Sequence, residues 1–468
     1  MIDTANNSPQ VVIIGGGITG LSAAWYLQTR STTNIRVTLI EASEKLGGKM
    51  ITHKLITDRG KFIIDAGPES FVTRKPEAWD LAVELGLENE IINPGGETRN
   101  MYVLDGGEPK KIPLSPPAFI TSNLLTLKGK LRMMAEPLIP ARRDDEDESL
   151  ASFVSRRLGQ EALEKMIGPV LAGIYNTNPE TQSIMTTSPI MREMEKEYGG
   201  LFRGALGRMH ARRKQAQNGP HRPQFMTYKS GAQVMMDALR EQLRVKLITG
   251  SSAEKIIHDG NGYQVSLIDH DSVYADAVIL ATPANQTSKL LADLDREVSA
   301  LIGQIDHQNI GTATLIFNSS DLSLPYEING LMIPRREKRR IDAITWTTNK
   351  PMVRGPEGFD MLRVFFGGGD PSLATMPEDE IVSAIRLELK DILGIEAAPV
   401  FFAVFCWPES FPQAYVGHQT LVDQIEQKLP PGIFVAGSSY RGIGIPDCIR
   451  QGRDTARQAL EVIKINFN

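Results

Sequence analysis

The first ordered pattern in the chain is Val11–Ile14, an unbroken β-branched run of the kind that fills a strand buried on both faces. Ile18, Leu21 and Trp25 then recur at helical spacing, and Arg36–Ile40 reads as a second short strand ending in Glu41. A Pro- and Lys-bearing stretch, GGEPKKIPLSPPAFITSNLLTLKGKLRMMAEPLIPARR, breaks this α/β rhythm. A helix follows over LASFVSRRLG, with Ser149 as its N-cap, acidic residues before it and Gly159 where it stops. Residues 203–222, rich in Arg and His with little to bury, read as a solvated, mobile loop. Order returns at Phe225. GAQVMMDALREQL predicts a helix, and VKLITGSSAEKI, GYQVSLID and SVYADAVILATPA predict strands. Further strands are predicted at TATLIFN, AITWTT and MLRVFFGGG, with a helix at EDEIVSAIRLELKDIL. The last segment, GIFVAGSSYRGIGIPDCIRQGRDTARQALEVI, is again strand, Gly-rich turn and helix. No internal repeat and no heptad run is present. A nucleotide-binding domain assembled from first, middle and last segments, with insertions between, accounts for the alternation.

The turn between the first strand and helix reads Gly15-x-Gly17-x-x-Gly20. Gly15 permits a tight turn, Gly17 lets backbone approach a pyrophosphate, and Gly20 lets the helix pack on the sheet. The helix N-terminus offers free N–H groups to phosphates. Glu41, 21 residues past Gly20, is placed to accept hydrogen bonds from a ribose diol. The pattern predicts a dinucleotide site and leaves FAD and NAD open.

At 468 residues the chain has room for two or three domains. A net charge of −5 argues against a nucleic-acid partner. Cys406 and Cys448 form neither a metal spacing nor a CxxC pair and read as buried thiols in a reducing cytosol. His53, His210 and His418 show no ligand spacing, so no metal is expected. The N-terminal residues lack a signal-peptide pattern and no apolar run is long enough to span a bilayer, so a cytoplasmic protein is expected. The apolar and basic segment PPAFITSNLLTLKGKLRMMAEPLI reads either as a helix pair covering a pocket or as a peripheral membrane contact. The basic run RREKRR at 335–340 reads as a solvated turn. Oligomeric state is left open.

Several longer motifs are more specific. EKLGGKM after Glu41, DAGPESF, GPVLAGIYNTNPETQSIMTTSP, CWPESFPQAYVGH and GSSYRGIGIPDCI together resemble the flavin-dependent porphyrinogen oxidases of the amine oxidase and phytoene desaturase superfamily, over nearly the whole chain and closest to their soluble Gram-positive branch. Asn176 stands where that family often has a small residue, and Thr177-Asn178-Pro179 replaces its Gly-Asp-rich turn. The resemblance implies an α/β fold: a discontinuous Rossmann-type FAD-binding domain (1–75, 222–292 and 405–468), a helical domain (93–200), and a mixed α+β substrate domain (76–92, 201–221 and 293–404).

It also implies a non-covalent FAD. Gly15, Gly16, Gly17, Ile18, Thr19, Gly20, Glu41 and Ala42 would hold its ADP half, with Gly48 and Lys49 near the pyrophosphate. Gly67, Pro68, Glu69 and Ser70 would lie along the ribityl chain or ring, and the backbone of Ala253 would meet the adenine. Trp407, Ile443, Gly444 and Ile445 would flank the isoalloxazine, where a helix N-terminus stabilises negative charge on the reduced ring. For the substrate, Arg74 and Lys75 are candidates for carboxylate binding. Gly173, Tyr175 and Asn176 are pocket candidates by resemblance, and Leu331 and Met332 are candidate apolar walls.

The implied reaction is oxidation of coproporphyrinogen III to coproporphyrin III, with O2 as acceptor and H2O2 released. Six electrons leave the macrocycle in three hydride transfers, and the pyrroles stabilise the developing cation, so no acid–base side chain is required. Protoporphyrinogen IX oxidation is the near alternative. An amine oxidase, with Trp407 and Tyr440 as its aromatic pair, a carotenoid desaturase, and a non-catalytic flavin-fold binding protein are more distant ones.

Overall fold

Val11–Ile14 is buried on both faces because two different layers cover it. In the computed structural model, which describes residues 8–94, 100–216, 225–322, 327–349 and 353–467, the strand Gln10–Ile14 is the centre of a five-stranded parallel sheet. Its spatial order is Lys246–Thr249, Arg36–Glu41, Gln10–Ile14, Ala277–Leu280, Ile433–Val435, with Val12 opposite Thr38 and Val278. Strand alternation sends Val11 and Ile13 into a core shared with the helices Ile18–Arg30, Gln233–Gln242 and Ile445–Phe467. Val12 and Ile14 enter a second core against the antiparallel sheet Ala253–His258, Tyr263–Leu267 and His270–Ala275.

A seven-stranded sheet runs in the order Phe401–Pro412, His307–Asn318, Phe359–Phe366, Ile341–Trp346, Gly330–Met332, Met101–Asp105, Glu108–Lys111. All pairs are antiparallel except Gly330–Met332 with Met101–Asp105. The helix Glu378–Leu393 covers one face through Ile381, Ile385 and Leu389. Phe401, Ala403 and Phe405 lie with Phe62 and Ile64 on the other, so that face looks toward the nucleotide-binding unit. The helical insertion packs around Phe153, Val154 and Leu158 and carries a buried ion pair between Arg157 and Glu136.

Ser149 caps its helix, its Oγ accepting from the Ser152 N–H at 3.1 Å, and Gly159 ends it at φ +95°. Other expectations are corrected by pairings that only the folded chain reveals. Residues 77–84 form a helix whose Ala78, Leu81 and Ala82 pack in the core beside the parallel sheet, so 76–92 does not belong with the seven-stranded sheet. The hairpin Met101–Lys111 belongs to the seven-stranded sheet and not to the helical insertion, and so does Phe405–Pro412, assigned from sequence to the nucleotide domain. VKLITGSSAEKI splits between two sheets at Gly250. Where a loop was expected, Leu201–Ala216 is a helix. Its Gly204 and Gly207 allow close approach to Met194 and Tyr198 of the helix Pro189–Tyr198, and residues 217–222 lie outside the described residues.

Candidate functional site

Two helix N-termini converge at one end of the parallel sheet. The first is the fingerprint turn. Gly15 has φ +110°, and a Cβ there would stand 2.6 Å from the Ala281 carbonyl oxygen. A Cβ on Gly20 would overlap the Gly15 carbonyl oxygen, so helix and strand touch only because both residues are glycine. Gly17 differs: its backbone is extended, and a Cβ would find only the Gly48 Cα at 4.0 Å. No side chain caps the helix that starts at Ile18, which leaves a cradle floored by backbone donors. Beside it, Glu41 Oε2 accepts from the Gly16 N–H at 2.6 Å and Oε1 from the Ser43 N–H at 2.9 Å, with Ala42 exposed. The Gly47 N–H bonds the Gly16 carbonyl at 2.9 Å and sets Gly48 and Lys49 over the turn.

The second N-terminus is that of Ile445–Phe467. Gln451 holds the preceding loop: its Oε1 accepts from the Gly437 and Arg441 N–H groups at 3.2 Å, and its Nε2 donates to the Gly442 carbonyl at 3.3 Å. Ile443 and Gly444 lie half-buried in that loop. The two helices cross where a Cβ on Gly452 would overlap the Thr19 carbonyl oxygen. Lys49 lies between these termini and the seven-stranded sheet, its Nζ donating to the Ser410 carbonyl at 2.5 Å. Burial pulls its pKa down to about 8, and pushes the neighbouring Cys448 thiol up to about 11. His307 Nε2 lies 3.1 Å from Ser439 Oγ, and burial, followed by the Lys49 charge, lowers its pKa.

Gly67 lets the next loop come close, since a Cβ there would overlap the Lys49 carbonyl oxygen. Arg363 supports this loop from beneath. Its guanidinium donates to the Ala66 carbonyl at 2.9 Å and to the Gly67 carbonyl, and stands 3.3 Å from Glu69 Oε2. Thr227 Oγ1 donates to the Glu69 carbonyl at 2.5 Å, so Gly67–Ser70 is held from two sides. Pro68 is exposed and Ser70 half-buried. Ala253 opens the antiparallel sheet two residues after Ser251, whose N–H bonds the Glu41 carbonyl at 3.3 Å.

On the other side, Trp407 shares a sheet face with Ala403 and Phe405. Its ring stacks on Phe405 at 6.3 Å between centroids. Opposite Asn309 the strand bulges through Pro408–Ser410, which delivers the carbonyl that Lys49 binds. Tyr175 ends the helix Gly168–Tyr175 and donates its hydroxyl to the Thr187 carbonyl at 2.5 Å; burial raises its pKa. Asn176 caps that helix in the left-handed region at φ +45° and donates Nδ2 to the Asn309 carbonyl at 3.2 Å. Met332 faces the same helix, its sulfur 2.9 Å from where a Cβ on Gly173 would lie. Leu331 is not a cleft wall. Alternation turns it to the opposite face, where it is fully buried in the helix-backed core. Lys75 is not a free cation either, because its Nζ bonds both oxygens of Asp447 at 2.6 Å. Arg74 is exposed, lies within electrostatic reach of Tyr175, and has no carboxylate partner among the described residues.

Sequence reasoning did not single out Asp447, His307, Ser410 or Arg363. Asp447 and Ser410 sit inside quoted motifs. For Arg363 the signal was a charge in the apolar run MLRVFF, and His307 offered none.

A glycine-turned parallel sheet with two helix N-termini at one end, beside a second large sheet, is an arrangement suited to a phosphate-bearing cofactor. Residues 18–460 match the family described as flavin containing amine oxidoreductase, and the chain belongs to that family. The Coproporphyrinogen III oxidase of Bacillus subtilis is 31% identical, the match covering 97% of this chain and 99% of that enzyme. The enzyme of the same name from Staphylococcus aureus is 32% identical, over 96% of this chain and 98% of its own length. A solved structure from Exiguobacterium, provisionally assigned as a protoporphyrinogen oxidase, aligns with a TM-score of 0.84 at 29% identity, over 97% of this chain and 99% of that one.

Proposed function

We propose that the chain binds FAD non-covalently and oxidises coproporphyrinogen III to coproporphyrin III, with O2 as the final acceptor and H2O2 as by-product. Full-length similarity to two enzymes of that activity carries the substrate reading. The residues at the site fit the cofactor: an uncapped helix start over an open Gly17 suits a diphosphate, and Glu41 suits a ribose diol. The flavin, when bound, supplies the two-electron acceptor for each oxidation step. The protein's part is positioning. Lys49 and the two helix termini hold the phosphates, Gly67–Ser70 and Ile443–Ile445 border the ring, and Trp407, Met332 and Gly173 close around the macrocycle. Arg74 binds a propionate. Protoporphyrinogen IX is the second reading, favoured by the Exiguobacterium structure. The amine oxidase alternative loses its aromatic pair, because Tyr440 is 2% exposed and packed in the nucleotide core.

No helix among the described residues is long and apolar enough to cross a membrane. The same reading places the protein in the cytoplasm, with any peripheral membrane contact made by exposed Ile120, Leu127, Leu131 and Met134 beside Lys128 and Lys130.

The test is aerobic turnover of each porphyrinogen, followed by porphyrin fluorescence and H2O2. Faster oxidation of coproporphyrinogen III supports the reading, the reverse order selects the second one, and a flavin-loaded protein inert to both refutes the substrate class.

A further inference from the structure

The structure sorts the basic run at 335–340 into paired and unpaired charges. Arg336 bonds Asp105 at 2.8 Å and the Glu164 carbonyl, and Arg339 stands 3.5 Å from Glu388 and 3.3 Å from Asp391. Arg340 bonds Asp370 at 2.7 Å. Arg335 is different. Among the described residues its guanidinium makes one hydrogen bond, to the neutral Gln308 Oε1 at 3.4 Å, and no carboxylate lies within ion-pair distance of it. Asp342 is in electrostatic reach, yet its carboxylate already accepts the Gly368 and Gly369 N–H groups at 2.8 and 2.6 Å.

This guanidinium stands near the residues proposed above to close around the macrocycle. Gln308 lies two residues before Ile310, which is paired with Trp407, so it is about 7 Å along the strand from that pairing. Met332, three residues before Arg335, meets the cleft helix at Gly173, and Asn176 bonds the carbonyl next to Gln308. Arg335 also lies in reach of Tyr415, where strand Phe401–Pro412 has passed into the chain that bridges to Gln182. Arg74 comes from a different segment, the loop that follows Gly67–Ser70, and lies within electrostatic reach of Tyr175.

Coproporphyrinogen III carries a propionate on each of its four pyrroles. In protoporphyrinogen IX two of these are vinyl groups, and the remaining propionates sit on adjacent pyrroles. Unpaired cations carried by two separate segments suit a substrate with several carboxylates. Resting on the porphyrinogen reading above, we propose that Arg335 binds a propionate present in coproporphyrinogen III and replaced by vinyl in protoporphyrinogen IX, and so sets the preference between them.

The experiment compares wild type, Arg335→Gln, Arg335→Lys and Arg336→Gln on both substrates, each with flavin content and thermal midpoint checked. Arg335→Gln is expected to raise KM for coproporphyrinogen III about tenfold with kcat within about twofold, the loss of one charge-assisted hydrogen-bond pair. KM for protoporphyrinogen IX stays within about twofold, Arg335→Lys recovers most of the loss, and Arg336→Gln shows none of it. An equal KM rise on both substrates, a fall in kcat alone, or no change overturns the assignment while leaving an active wild type as a porphyrinogen oxidase. A wild type inert to both substrates refutes the porphyrinogen reading, and the Arg335 assignment with it.

Discussion

Lys75 closes on Asp447 with its ammonium 2.6 Å from both carboxylate oxygens, which ties the loop after Gly67–Ser70 to the first turn of the C-terminal helix. An acid at that position is favoured by the helix N-terminus, and Lys75 supplies the counter-charge. Two adjacent cations therefore have different jobs. Lys75 is part of the frame, and Arg74, exposed and without a carboxylate partner among the described residues, suits the propionate role proposed for it.

Arg74→Met is accordingly expected to raise the porphyrinogen KM about tenfold, as loss of a charge-assisted contact does. Lys75→Met should shift KM by less than about threefold and lower stability by about 0.2–1 kcal/mol, since Lys75 is partly exposed. Steady-state kinetics with thermal melts separates the two, and a larger KM effect at Lys75 would reverse the assignment.

The fingerprint glycines should fail in different ways. Gly17→Ala fits the apoprotein, whose backbone there is extended and whose nearest neighbour is 4.0 Å away, yet the new methyl would fill the space proposed for the cofactor phosphates. It should fold and purify without flavin. Gly20→Ala drives a methyl into the Gly15 carbonyl and should destabilise the protein by about 1–3 kcal/mol or more, as overpacking does. Melting curves of the apoproteins beside flavin absorbance distinguish the outcomes.

If Lys49 lies against the cofactor phosphates as proposed, flavin affinity is expected to depend on pH. Burial holds its apoprotein pKa at about 8, below the ordinary lysine value of about 10.4. A diphosphate beside it favours the ammonium and raises the pKa in the complex, so binding takes up a proton. Affinity is full below pH about 8 and falls above it, by at most about tenfold per pH unit. The apoprotein behaves oppositely: between the two pKa values the unfolded chain binds more protons, and its stability rises with pH. Lys49→Met should bind FAD more weakly and abolish both slopes, which titrations from pH 7 to 10 would show (~3 pH units of range).

Asn176 and Gly368 are fitted to each other. A Cβ at 368 would overlap Asn176 Oδ1, and Asn176 holds the cleft helix to the Asn309 carbonyl. Gly368→Ala is expected to raise the porphyrinogen KM while leaving flavin content unchanged. Asn176→Gly, which keeps the left-handed backbone but loses the bond, should relieve the closer of two clashes in the double variant, the other being with Asp342 Oδ1 at 2.9 Å. A KM in the double variant no better than in Gly368→Ala would show that the two do not act through this contact.

The nucleotide half was legible because its signals are local. Val11–Ile14, the glycine turn, the Ser149 cap and the Gly159 stop each follow from neighbours a few residues apart, where backbone sterics and side-chain caps act. The glycine-rich C-terminal motif was legible for the same reason. The long-range pairings were not. Whether Leu331 or Met332 faces the cleft depends on which side of the sheet the helix Glu378–Leu393 covers, and alternation alone cannot say. Lys75 and Arg74 look alike in sequence until Asp447, 372 residues from Lys75, chooses one of them. Leu201–Ala216 mixes apolar and basic residues with two glycines and becomes helical by packing on Met194 and Tyr198. The sequence by itself determined the strand–turn–helix units and the chemistry they can hold. Tertiary structure decided which faces, charges and strands meet, because those contacts join residues hundreds of positions apart and carry no local mark.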